Sequence, residues 1–274
     1  MGMALPALLF ALPLVTALIL LVNRNPAVRN TLVRVSALLM GVLSVAVGVM
    51  YFGHPFKIGV DSPLVRLLMM AVDGLAALTV LYFCVKYKRY LTALLGLAQF
   101  FLIVAFEFHA GSYARSVWDF NIDNLSIIMI LIAGIIGGLI AVYSLGYMAV
   151  YHRKHVDVKD RRSFFFFVVF LFLSAMFGLV MSNNLLYMYT FWEITSLCSF
   201  LLIGYSGTNE AIHNSFKALW MNLLGAWPLP WPLPIWESIS IPLKFPSFFP
   251  WVCRGCLWSR WWRFWCSAAL RSLP

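Results

Sequence analysis

The chain has 274 residues, 62% of them apolar and only 11% charged, and a mean hydropathy of +0.87. Water-soluble globular domains carry about a quarter charged residues, so a soluble monomer, a disordered chain and a disulfide-stapled scaffold are all excluded. The formal charge of +10 does not indicate nucleic-acid binding, because the basic residues fall in short clusters between apolar runs.

A bilayer core of about 30 Å needs a helix of about 20 residues. Apolar runs bounded by charge, Pro or Asn predict spans at 3–22, 32–52, 64–85, 90–108, 124–150, 164–181 and 184–203, and an eighth, 211–225, that stops short. The expected fold class is all-α, a polytopic transmembrane helix bundle. MGMALPALLF has no basic segment and opens an apolar stretch long enough to span, so the first helix is expected to stay in the membrane rather than be cleaved as a signal.

Alternate loops differ in basic charge. Arg24, Arg29, Arg34, Lys86, Lys88, Arg89, Arg153, Lys154, Lys159, Arg161 and Arg162 fall on one side, and only Lys57, Arg66 and Arg115 on the other. Cytoplasmic loops are the basic ones, so the N-terminus is expected outside the cytoplasm and the loop 151–163 inside it.

Composition changes abruptly after Gly225. Residues 226–274 hold 8 of the 11 Trp, 8 of the 13 Pro and 3 of the 5 Cys, and Met is absent after Met221. Proline at 228, 230, 232 and 234 removes backbone donors where a membrane helix is only half completed. Regrouping the codons by one base turns each Trp-Pro junction into Ala and each X-Trp junction into Leu, Met or Val, which restores an apolar helix. A frameshift near Gly225 is therefore expected, and 226–274 reads as an aberrant tail. Cys253 and Cys256 have ligand spacing but no second pair, so no metal site and no cofactor is expected.

Three ionisable residues lie inside apolar runs, where a charge costs at least ~2.5–3.5 kcal/mol. Glu193 lies near the centre of 184–203, Lys217 six residues into the eighth helix, and Asp73 near the middle of 64–85. At 1.5 Å per residue, Glu193 and Lys217 lie about 15 and 9 Å from the same membrane face. Depth alone makes them neighbours, and two charges about 7 Å apart attract by roughly 2.4 kcal/mol at an effective dielectric of 20. This is an arrangement suited to proton exchange; a static ion pair that fixes helix packing is the bland alternative. Asp73 and His213, the latter at a helix mouth, are accessory candidates. Cys84 and Cys198 read as packing residues.

The strings DNLSIIMILIAGIIGGLIAVYSLGYM, SFFFFVVFLFLSAMFGLVMSNNLLYMYTFWEITSLCSFLLIGY and AIHNSFKALWMNLLG resemble the antiporter-like membrane subunits of respiratory complex I, the energy-converting hydrogenases and the multisubunit sodium/proton antiporters. The resemblance implies that the WE-motif glutamate, here Glu193, transfers protons within the membrane, and that the lysine of the following KA motif, here Lys217, couples to it. It implies partners: other membrane subunits and a peripheral hydrogenase or dehydrogenase arm, in a bacterial or archaeal cell membrane. The family's later Lys-Ser-Ala helix has no counterpart in this frame. The stretch MMAVDGLAALTVLYFCVKYKRYLTALLGLAQFFLIVAFE adds two helices that the complex I subunit lacks and resembles the large membrane subunit of the hydrogenases.

The expected organisation is 1–122 as N-terminal helices, 123–225 as the first part of a proton-translocating domain, and 226–274 as the aberrant tail. The function implied is that of a membrane subunit of a proton-translocating oxidoreductase complex, moving H⁺ or Na⁺ through Glu193 and Lys217. A cation/proton antiporter subunit and a non-functional truncated product are the alternatives.

Overall fold

The computed structural model describes residues 4–23, 25–53, 56–59, 63–110, 119–154 and 160–226. Apart from Ala226, the expected aberrant tail lies outside the described residues. The chain runs α1 (Ala4–Val22), α2 (Pro26–Tyr51), β1 (Phe56–Ile58), α3 (Pro63–Lys86), α4 (Tyr90–Ala110), β2 (Phe120–Ile122), α5 (Asn124–Leu131), α6 (Gly137–Lys154), α7 (Arg162–Met181), α8 (Leu185–Ile203) and α9 (Asn209–Ala226). A π-helical turn, Ile132–Ile136, makes α5 and α6 one continuous rod, and a 3₁₀ turn, Gly204–Ser206, follows α8. The expected all-α membrane bundle is what forms. By length and composition, six of the described helices are able to cross a membrane, and Tyr90–Phe101 is a shorter apolar stretch.

Helix starts follow capping chemistry rather than hydropathy. α2 begins six residues before its apolar run because the Asn25 side chain accepts from Ala27 N and Pro26 occupies the first turn, where a missing N–H costs nothing. Asp123 caps α5 by accepting from Ser126 N at 2.8 Å, and Asn184 caps α8 by accepting from Leu186 N at 3.1 Å.

The loops sort to two ends as the spans require. At one end, β1 and β2 pair antiparallel (Phe56 opposite Ile122), and Phe120 bridges Ser182. There Asp119 receives the backbone N–H of Asn183 and, through its carboxylate, the Asn184 side chain at 2.9 Å. At the other end lie the basic loops: Arg29 sits over the Phe166 ring, His152 meets Tyr205 at 3.0 Å, and Arg162 pairs with Asp160 at 2.6 Å.

Two cores flank α8. One joins α1, α2, α5, α6 and α7 around Leu9, Met40, Ile130, Phe166, Phe170 and Phe177. The other joins α3, α4, α8 and α9 around Cys84, Ala93, Phe200, Phe216 and Leu219. In the first, α2 and the α5–α6 rod approach so closely that a Cβ on Gly138 would sit 3.1 Å from the Ala37 carbonyl oxygen. Small residues are what permit such backbone contact in a bilayer, where burial of apolar side chains gives no driving force.

The Asp160–Arg162 pair gives a pH prediction. Arg162 Nε and Nη2 donate to the carboxylate, and this holds Asp160 below the usual 3.8, at about 2. A carboxyl depressed in the folded state contributes stability above its unfolded pKa and loses it as pH falls through the folded one. Thermal unfolding in detergent is therefore expected to show a loss between pH 3.8 and about 2 that is absent from Asp160→Asn. The loss stays under ~1 kcal/mol, because Asp160 is half exposed. An identical acid branch in the variant would refute the assignment.

Candidate functional site

Glu193 lies on α8 between the two cores, partly buried, with Tyr189 one helical turn before it on the same face. The Tyr189 hydroxyl donates a hydrogen bond to Glu193 Oε1. Thr190, on the next face, donates to Asp73 Oδ2 at 3.0 Å, which ties α8 to α3. Asp73 is buried at 7% exposure and acts electrostatically on both Tyr189 and Glu193. The accessory residue Asp73 is thus brought to the site. From α4, the buried Gln99 side chain lies near Tyr189.

The result is a five-residue polar cluster, Asp73, Gln99, Tyr189, Thr190 and Glu193, drawn from three mostly apolar helices. Next to it is a pocket whose lining includes Glu193, Gln99, Ser196 and Asn222 among apolar residues of α3, α4, α8 and α9.

Lys217 is not in the cluster. Its side chain is exposed, and among the described residues it makes no ion pair with Glu193 and is not among the charges that act on it. The expected adjacency fails for an azimuthal reason. Phe216 and Leu219 turn α9 into the core with α3, α4 and α8, so the neighbouring position 217 points away, and Leu219, Asn222 and Leu223 reach the pocket. Depth placed the two residues at similar levels but said nothing about rotation about the helix axis. His213 is exposed near the start of α9. Cys84 and Cys198 are buried free thiols, and no group of residues able to hold a metal occurs among the described residues.

Gln99, Tyr189 and Thr190 were not singled out in the sequence. Two of them carried a signal: Gln99 interrupts the apolar run LTALLGLAQFFLIVAF, and Tyr189 stands four residues before Glu193 on one helix.

Fold and cluster together define a multi-pass helical membrane protein with an acid-centred polar site inside the bundle. Residues 108–157 match the family described as NADH-ubiquinone oxidoreductase (complex I), chain 5 N-terminus, and 182–231 match that described as NADH:quinone oxidoreductase/Mrp antiporter, TM. The chain carries the antiporter-like sequence shared by the complex I and Mrp membrane subunits. It is 36% identical over 109 residues to Na⁺/H⁺ antiporter subunit A1 of Staphylococcus haemolyticus, and 33% identical over 109 residues to the protein of the same name from Staphylococcus aureus. Each match covers 39% of this chain and 13% of the relative, so the chain spans a small part of the curated relatives it matches.

Proposed function

We propose that the chain is the N-terminal part of a membrane subunit through which a larger complex moves H⁺, or Na⁺ against H⁺, with Glu193 as the proton-transfer group. The single observation that supports this best is the polar cluster. A carboxyl held in an apolar bundle by a donated tyrosine hydroxyl, with a second carboxyl close by, is costly to keep and has no packing role that an apolar side chain would not fill better. Lys217 enters as a second transfer group, reached from Glu193 through residues beyond those now in contact. Asp73 is an accessory group on the Glu193 side, and other membrane subunits are the partners.

Two settings fit. In one, a peripheral hydrogenase or dehydrogenase arm drives transport by electron transfer; the inserted helices α3 and α4, with their hydrogenase-like sequence, support it. In the other, the subunit belongs to an Mrp-type antiporter, and the names of its relatives support that. We place the N-terminus outside the cytoplasm, on the loop-charge bias, and attribute the Trp/Pro-rich residues after Gly225 to a frameshift.

Sequencing the locus tests setting and frameshift together. Hydrogenase or dehydrogenase genes beside this one are expected, together with an apolar reading frame resuming past codon 225. Neighbouring antiporter genes alone would favour the second setting, and one unbroken frame without an apolar alternative would remove the frameshift. The transport role itself is tested in vesicles, where ion uptake by the assembled complex must depend on Glu193.

A further inference from the structure

We infer that His152 is a pH-sensitive latch between α6 and the end of α8, holding Tyr205 when neutral and turning to Asp160 when protonated. The inference goes beyond the proposed function by placing a control at the basic end of the bundle. It rests on that reading only for its consequence, a tie on the helix that carries Glu193.

Three elements meet at one nitrogen. His152 lies in the last turn of α6, and its Nε2 is 3.0 Å from the hydroxyl of Tyr205, in the 3₁₀ turn that follows α8. The same Nε2 is 3.8 Å from Oδ1 of Asp160, just before α7. The first distance is a hydrogen bond and the second is too long for one. The His152 side chain is 11% exposed and that of Asp160 is 52% exposed, so the carboxylate is the hydrated side of the site. The Phe165 ring, edge-on to Tyr205 at 5.5 Å, keeps the tyrosine against α7 whichever partner His152 takes.

A neutral imidazole nitrogen accepts the Tyr205 O–H, whereas a protonated one only donates. The donor then has a choice between a neutral phenol oxygen and a carboxylate. Hydrogen bonds to an ionised acceptor are roughly twice as strong as neutral ones, and a closure of about 1 Å brings Nε2 to the distance of such a bond. Arg162 makes its shortest contact with Oδ2, at 2.6 Å, so Oδ1, the oxygen nearest His152, retains room for a second donor. The other charged and titratable groups around the site, among the described residues, come from every element that meets there. Arg29 on α2 acts electrostatically on Asp160, Arg162 and Tyr205, Tyr151 lies beside His152 on α6, and Arg153, Lys154 and Arg161 are exposed. Histidine is the side chain that ordinarily changes charge between about pH 5 and 8. One nitrogen with two competing partners, one of them charged, is therefore a two-state element that a proton biases. Neutral, it joins α6 to α8; protonated, it joins α6 to α7 and frees the end of α8.

Hydrogen–deuterium exchange of the full chain in lipid nanodiscs tests this, read at residues 204–207 and divided at each pH by the exchange rate of an unstructured amide. The Gly207 N–H, which donates to the Gly204 carbonyl at 3.1 Å, is a reporter inside the turn. From about pH 8 to about pH 5, protection there is expected to fall about fivefold, the fold-change of one hydrogen bond worth ~1 kcal/mol. His152→Gln is neutral throughout and able to accept from Tyr205, so it should keep high protection at both pH values. Asp160→Asn removes the competing carboxylate and should do the same, while Tyr205→Phe should show the low value at both. Equal protection at the two pH values in the wild-type chain would overturn the inference. So would a fall that persists in His152→Gln or in Asp160→Asn, or high protection in Tyr205→Phe. Exchange is read without transport, so a pH-independent turn alongside Glu193-dependent uptake removes only this inference, and a pH-dependent turn alongside Glu193-independent uptake removes only the proposed function.

Discussion

Vesicles carrying the assembled complex with Glu193→Gln are expected to lose coupled ion uptake while the complex still assembles. Glutamine has the same heavy-atom skeleton as glutamate, and its carbonyl oxygen accepts the Tyr189 hydroxyl as Oε1 does, so the hydrogen bond within the α8 turn survives. What disappears is the ability to bind and release a proton at that atom. Removing a positioned proton-transfer group costs about 10²–10⁴ in rate, so uptake should fall at least about 100-fold. Asp73→Asn keeps an oxygen for Thr190 and removes a charge near Glu193, so a partial loss with an altered pH profile is expected of it. Uptake followed with a pH-sensitive dye decides the matter. Wild-type rates in Glu193→Gln, with the variant subunit confirmed in the complex, would end the assignment of Glu193.

Most of this arrangement was legible in the chain, and the parts that were not share a cause. Span positions follow from burial in hydrocarbon, which every residue of a helix feels, so hydropathy finds them within a few residues. Helix ends depend instead on one or two capping groups. Asn25 and Pro26 carried that signal for α2, but Arg29 masked it by ending the apolar run, although at the helix end it lies over Phe166 rather than breaking the helix. The π-turn at 132–136 has no comparable marker in IAGII. Glu193 and Asp73 stood out because charge inside an apolar run is rare, but their common site did not, because Asp73 and its partner Thr190 are 117 residues apart in the chain. The pairing with Lys217 failed because depth along a helix is one-dimensional, whereas contact also needs the right rotation. Phe216 and Leu219 fix that rotation.

Gly178→Ala is expected to destabilise the bundle and to impair the site from a distance. α7 meets α8 at Gly178, where a Cβ would lie 2.5 Å from Phe191 Cε1 and 2.6 Å from Cζ, so the ring must move. The ring has little room for this: Phe191 is 3% exposed and stacks edge-on against Phe10 at 5.6 Å, while α1 and α7 are tied by the Ser174 hydroxyl donating to the Phe10 carbonyl. Overpacking of this kind costs about 1–3 kcal/mol. A gain in helix propensity of up to about 1 kcal/mol offsets part of it. Gly146→Ala is the control, since nothing lies within 4 Å of its Cβ position, and it should be neutral or slightly stabilising. Phe191 is two residues from Glu193, so the same displacement shifts the carboxyl relative to Tyr189 and Asp73, and uptake should fall with stability. Phe191→Leu in the Gly178→Ala background removes the clash and should recover part of both. A double-mutant cycle on unfolding midpoints in detergent measures the coupling, expected at 0.5–3 kcal/mol for residues in contact. Strictly additive effects would mean that the α7–α8 contact at Gly178 is looser than the structure has it, and that the position of Glu193 is set by α3 and α4 alone.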